Sequence, residues 1–102
     1  MNEYKIRYSK EAKQDLIDTK KYIKYNLQQP KIADKLINKI KKDIDKLSDD
    51  PKIYQIVDDD FIKKLEIRKI IVDNYIVFYR IKEKIIEIVR VMYGRRNWIA
   101  LL

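Results

Sequence analysis

The spacing of apolar residues changes once along this chain, and that change constrains the fold more than any other feature. From Ala33 to Leu47 the apolar side chains are Ala33, Leu36, Ile37, Ile40, Ile44 and Leu47, a single stripe of a 3.6-residue helix. Lys35, Lys39, Lys42 and Lys46 lie opposite, with Asp34, Asp43 and Asp45 among them. From Phe61 onward the texture becomes β-branched and aromatic. Leu65–Val72, Tyr75–Ile81 and Ile85–Tyr93 read as three strands. Asp73-Asn74 and Lys82-Glu83-Lys84 join them, and turns this short make antiparallel hairpins.

The N-terminal third supplies the remaining elements. Tyr4, Ile6 and Tyr8 alternate with Lys5 and Arg7, the period of a short strand with one buried face. Ser9 is a good N-cap, and Glu11 suits a first helical turn. Ala12, Leu16, Ile23 and Leu27 fall on one face of a helix from about Lys10 to Asn26. Pro30 fits the first turn of the next helix, which Ser48-Asp49-Asp50-Pro51 ends. Only Gln28-Gln29 separates the two, so they form an antiparallel hairpin. Neither stripe satisfies the other, and both require a sheet. The expected order is β-α-α-β-β-β. It makes one α+β domain over residues 1–102, with the helix hairpin on one face of a small, antiparallel-rich sheet and the other face partly open. The first strand is too short to stand alone and should join that sheet.

Composition narrows the chemistry. The 102 residues contain no cysteine, no histidine and one glycine. A disulfide framework, a thiol nucleophile, a Cys-based zinc site and a Ser-His-Asp triad are all excluded. A P-loop or a Rossmann fingerprint needs several glycines. Catalysis would rest on Lys, Arg, Tyr, Asp, Glu or a substrate's own groups. Asp58-Asp59-Asp60 reads as a solvated loop, because calcium loops space their ligands around a tight turn. No cofactor and no metal are therefore expected. No apolar run approaches the ~20 residues of a membrane span, and Met1–Lys5 lacks the apolar core of a signal peptide. A cytoplasmic protein without membrane contact is the expectation.

The formal charge of +8 favours an anionic partner. Residues 61–102 carry a net +6 of it. Five of the six arginines lie there: Arg68, Arg80, Arg90, Arg95 and Arg96. Arginine makes bidentate contacts with phosphates and carboxylates, and Tyr75, Tyr79 and Tyr93 offer rings for stacking among them. Each residue also has a bland reading: edge strands use charges to block aggregation, and strand tyrosines often pack in cores. Strand alternation puts Arg90 on a face with Ile86, Ile88 and Met92, and Arg68 with Glu66 and Ile70. A cation among apolar neighbours is paired, snorkelling or part of a site, and Glu66 and Glu87 are candidate partners. Gly94 stands where the last strand exits, before Arg95-Arg96, as a backbone turn. Trp98, Ile99, Leu101 and Leu102 suggest a docked tail.

The stretch Ile67–Ile81, with Arg68, Lys69, Tyr75, Tyr79 and Arg80, followed by Ile88–Asn97 ending in Gly94-Arg95-Arg96, resembles the RelE/ParE superfamily of bacterial type II toxins. The opening strand with Ser9, the helix hairpin, the Asp50-Pro51 step and the strand order extend the likeness to nearly the whole chain. The resemblance implies a small toxin neutralised by an acidic antitoxin protein. Two target classes occur in the superfamily. RelE-like members cut mRNA on the ribosome; ParE-like members inhibit DNA gyrase. The mRNA-cutting type often has Arg directly after the strand tyrosine, where this chain has Ile76, and its fullest site includes His. The pattern from Arg68 to Arg80 looks more like ParE.

For a nuclease, the resemblance implies metal-independent attack by the RNA 2′-OH. Arg68 or Arg96 would stabilise the phosphorane, Lys69 would act as base and Tyr93 would stack or donate a proton. For a gyrase inhibitor it implies no bond-breaking by the toxin, with Arg68, Arg80, Arg90, Arg95, Arg96 and Trp98 as contacts for target or antitoxin. A non-toxic nucleic-acid-binding module remains the unrelated alternative.

Overall fold

A computed structural model describes residues 4–60, 62–94 and 102. The strands are β1 (Lys5–Tyr8), β2 (Arg68–Val72), β3 (Tyr75–Lys82) and β4 (Ile85–Tyr93), and the helices are α1 (Lys10–Lys21) and α2 (Pro30–Lys46). The sheet runs β1-β4-β3-β2. β1 lies parallel to β4, and the other two pairings are antiparallel. The expected α+β order is therefore observed, and β1 does join the later sheet, as its outer strand.

Ser9 explains why α1 starts where it does. Its Oγ accepts from the Ala12 amide at 2.9 Å and donates to the Val89 carbonyl at 2.7 Å, so one hydroxyl caps the helix and ties it to β4. The expected single helix to Asn26 is instead α1 followed by a π-helical turn, Tyr22–Asn26. Such turns often accompany functional surfaces. Ala33, Ile37, Ile40, Ile44 and Leu47 are buried along α2, as the stripe requires. They meet Val72, Val77, Tyr79, Ile86, Ile88 and Val91 from the sheet. A fully buried Ile such as Ile40 or Ile44 contributes roughly 2–3 kcal/mol by leaving water.

The opposite sheet face is partly covered. Val57, Ile62, Ile67, Phe78 and Met92 form a second cluster, with Leu102 packed against it. The connection after α2 is thus less exposed than its aspartates suggest: Val57 and Ile62 are buried. It bridges to β2 through Ile56 opposite Arg68. β2 begins three residues later than expected, because Lys63–Leu65 is a 3-10 turn and Glu66 has a left-handed φ of 53°. In the hairpins the positive φ falls on Asp73 (54°) and Glu83 (57°), whereas Asn74 had the better composition for it.

A register shift between Phe78 and Tyr79 changes the reading of β4. Phe78 pairs with Arg90 and Tyr79 with Ile88, which leaves Val89 as a bulge residue. Alternation reverses there. Ile86, Ile88 and Val91 face the helices, while Met92 joins the second cluster.

Candidate functional site

A wide cavity opens between the helix hairpin and the outer edge of β4. β1 ends at Tyr8, opposite Ile88, so among the described residues no strand lies along the outer edge of β4 beyond that point. Asp15 of α1 takes part of that role. Its Oδ2 accepts from the Val91 amide at 2.9 Å, as a strand carbonyl would. The same carboxylate receives Arg90 in a two-pronged pair, Nε to Oδ2 at 2.8 Å and Nη2 to Oδ1 at 2.7 Å. Asp15 is 9% exposed. A carboxylate this enclosed requires such satisfaction. The hydrogen bond from Arg90 to Asp15 raises the guanidinium pKa above its already high value.

Beyond Asp15 the cavity holds about 1030 Å³. Tyr22, Leu27 and Ile32 form its helical wall, and Tyr75 and Tyr93 its sheet wall. The two sheet tyrosines meet edge to face, 5.6 Å between centroids. Tyr22, Leu27 and Ile32 are about half exposed, at 53%, 50% and 54%. Leu27 therefore belongs to this opening and not to the core. At the α2 end Lys39 bonds Asp73 at 2.6 Å, and that bond raises the Lys39 pKa. Lys35 lines the same rim. Burial pushes the Tyr75 hydroxyl pKa up, partly offset by its hydrogen bond with Thr19. The groove is apolar within, with lysines along its helical rim.

The structure separates most of the residues singled out from the sequence. Arg68 donates through Nη1 to the Lys52 carbonyl at 3.1 Å and to that of Tyr54, so it clamps the connection after α2; Glu66 is not its partner in these bonds. Arg90 binds Asp15 in place of Glu87. Glu87 instead accepts from Arg80 Nε at 2.8 Å and lies 3.4 Å from Arg7. Lys69 lines a smaller cavity of about 500 Å³ with Asp43, Lys46 and Tyr54. Tyr93 borders the large groove. Arg68 pairs with Tyr79 and Tyr93 with Tyr75, which puts them four residues apart along β3 and on opposite sides of it, more than about 13 Å. Arg95, Arg96 and Trp98 lie outside the described residues.

Gly94 does not use the conformational freedom of glycine, since its φ is not positive. Its amide donates to the Asn74 carbonyl at 2.9 Å. A Cβ there would stand 3.3 Å from that oxygen, so closeness to the β2–β3 turn explains the residue. Sequence reasoning missed Asp15. The signal was present: a carboxylate beside Leu16, three residues after Ala12, on the helix's buried face.

The family described as "ParE toxin of type II toxin-antitoxin system, parDE" matches residues 6–98. The chain belongs to the ParE toxin family. No curated protein matches its sequence. A solved structure described as "Chromosomal ParDE TA system from P. aeruginosa" has the same fold, with a TM-score of 0.75. It is 17% identical, and the match covers 89% of this chain and 96% of that one. This ParE-family chain is thus the toxin type of a type II toxin-antitoxin system, and the system implies an antitoxin partner.

Proposed function

We propose that this ParE-family toxin inhibits DNA gyrase by binding it in the cytoplasm, without cutting a bond itself, and that an acidic antitoxin segment neutralises it by occupying the β4 groove. The observation that carries the reading is the fixed state of the strand arginines. Arg68 is spent on two backbone carbonyls and Arg90 on Asp15. A phosphorane needs cations aimed at one reacting phosphate, and Arg68 stands far from Tyr93 across the sheet. Ile76, where mRNA-cutting relatives often carry Arg, lies partly buried against the second cluster. This favours inhibition by contact over RNA cleavage.

The groove supports the partner claim. Covering Tyr22, Leu27 and Ile32, each about half exposed, contributes roughly 1 kcal/mol apiece. Lys35 on the rim suits a carboxylate of an amphipathic segment that folds on binding. The test is a supercoiling assay with purified gyrase. Micromolar toxin should block supercoiling, and an acidic antitoxin should restore it. Unaffected gyrase, together with codon-positioned cuts in mRNA on translating ribosomes, would overturn the reading.

A further inference from the structure

The cations outside the groove form a pattern of their own on the open end of the sheet, away from the helices. β1, β4 and β3 lie side by side there in a fixed register. Arg7 stands opposite Glu87, and Glu87 opposite Arg80. One step along, Lys5 stands opposite Ile85, and Ile85 opposite Lys82. Residues two apart on a strand share a face, so these six side chains make two parallel rows. Four are cations and one is an anion. Each row sets the backbones of its two cations about 9.5 Å apart, two strand spacings.

A net positive charge, four cations less one anion, remains available to a ligand on this face. Lys5, Arg7, Arg80 and Lys82 are all exposed, and Glu87 is only 20% so at its side chain. Glu87 is shared between the two arginines. Neither Lys5 nor Lys82 has an ion-pair partner among the described residues. The adjoining turn holds Glu83 and Lys84 and adds no net charge.

We infer that this face is an electrostatic contact for the phosphate backbone of duplex DNA, a site separate from the antitoxin groove and independent of the gyrase reading. The choice of DNA over an acidic protein follows from shape. Protein partners bind through apolar anchors seated in pockets. This strand surface has Ile85 as the one apolar member of its two rows, and these side chains line neither of the cavities described above. A rigid lattice of cations without pockets suits a regular array of phosphates, which carry affinity without reading sequence.

The experiment measures binding of the full-length chain to a labelled 20-base-pair duplex by fluorescence anisotropy across salt concentrations. Each phosphate neutralised contributes about −0.9 to the slope of log K against log salt. Four cations less one anion predict a slope near −3, or about 40-fold weaker binding between 50 and 200 mM salt. Lys5→Gln with Lys82→Gln should bring the slope near −1 and that salt effect to about fourfold. Glu87→Gln should tighten binding about threefold at 50 mM salt. Lys31→Gln with Lys42→Gln removes the same charge from exposed positions on α2 and should leave binding within twofold. Equal weakening by the two double variants would mean attraction to net charge alone and would overturn the assignment. So would tighter binding of an Asp/Glu-rich peptide than of DNA to this face, lost in the Lys5/Lys82 variant. No detectable duplex binding at 50 mM salt also overturns it.

Discussion

Replacing Asp15 by alanine removes the acceptor for three hydrogen bonds at once. Arg90 loses both prongs of its pair, and the Val91 amide loses the carboxylate that stands in for a neighbouring strand there. The side chains of Arg90 and Asp15 are 17% and 10% exposed, so water cannot replace the carboxylate without movement of α1. Removing one partner of an enclosed ion pair costs about 3–5 kcal/mol, against roughly 1 kcal/mol or less for an exposed pair. Arg90 retains some access to solvent, which places Asp15→Ala near the lower figure, about 3 kcal/mol. Arg90→Met should cost less, about 1.5 kcal/mol, because an apolar chain can fill the space and Asp15 still holds the Val91 amide. In the double variant the stranded cation is gone. A double-mutant cycle by urea denaturation should therefore give a coupling of about 1.5–2 kcal/mol. A coupling below about 0.5 kcal/mol would refute the argument that Asp15 and Arg90 act as one unit. An altered urea slope in the single variants would instead place the change in the denatured state.

Ser9→Ala should destabilise the chain by about 1–2 kcal/mol, since both the α1 cap and the link to Val89 go; thermal unfolding checks this. Groove variants should separate binding from folding: Leu27→Asp should weaken antitoxin binding by at least tenfold in calorimetry while the thermal midpoint shifts little, because Leu27 is already half exposed. Alkaline titration should reveal the enclosed tyrosines. Burial pushes the Tyr8 pKa up to about 12 and raises that of Tyr79, whose hydroxyl donates to the Pro51 carbonyl at 2.7 Å. The folded chain holds both protons more tightly than the unfolded chain does. Their contribution is complete below pH about 10 and is lost as pH rises through the folded values. Part of the tyrosinate absorbance should therefore appear late, only as the chain unfolds. A single transition near pH 10 would count against this.

Local signals along the chain carried most of the fold. The stripe from Ala33 to Leu47, the alternation in Tyr4–Tyr8 and the two short turns each answer to a period set by backbone geometry, and all appear where those periods put them. Element edges were less legible. Glu66 and the π-helical turn at Tyr22–Asn26 depart from local preference. The site was legible only in part. Arg68 and Arg90 stood out as cations among apolar neighbours, yet their partners come from 14 to 75 residues away, beyond the reach of any pattern.

The sequence by itself determined the class of fold, its element order, the chemistry excluded by absent His and Cys, and the excess of positive charge. These follow from composition and from periods of 2 and 3.6 residues, which are local properties. Only the tertiary structure decided what each cation does. A bulge of one residue at Val89 reverses the alternation of β4, and α1 replaces β1 along its edge. Those two events commit Arg90 to Asp15, while Lys5 and Lys82 have no ion-pair partner among the described residues. Charge is a property of residues; whether it is spent on the fold or offered to a partner depends on which chain segments meet in space.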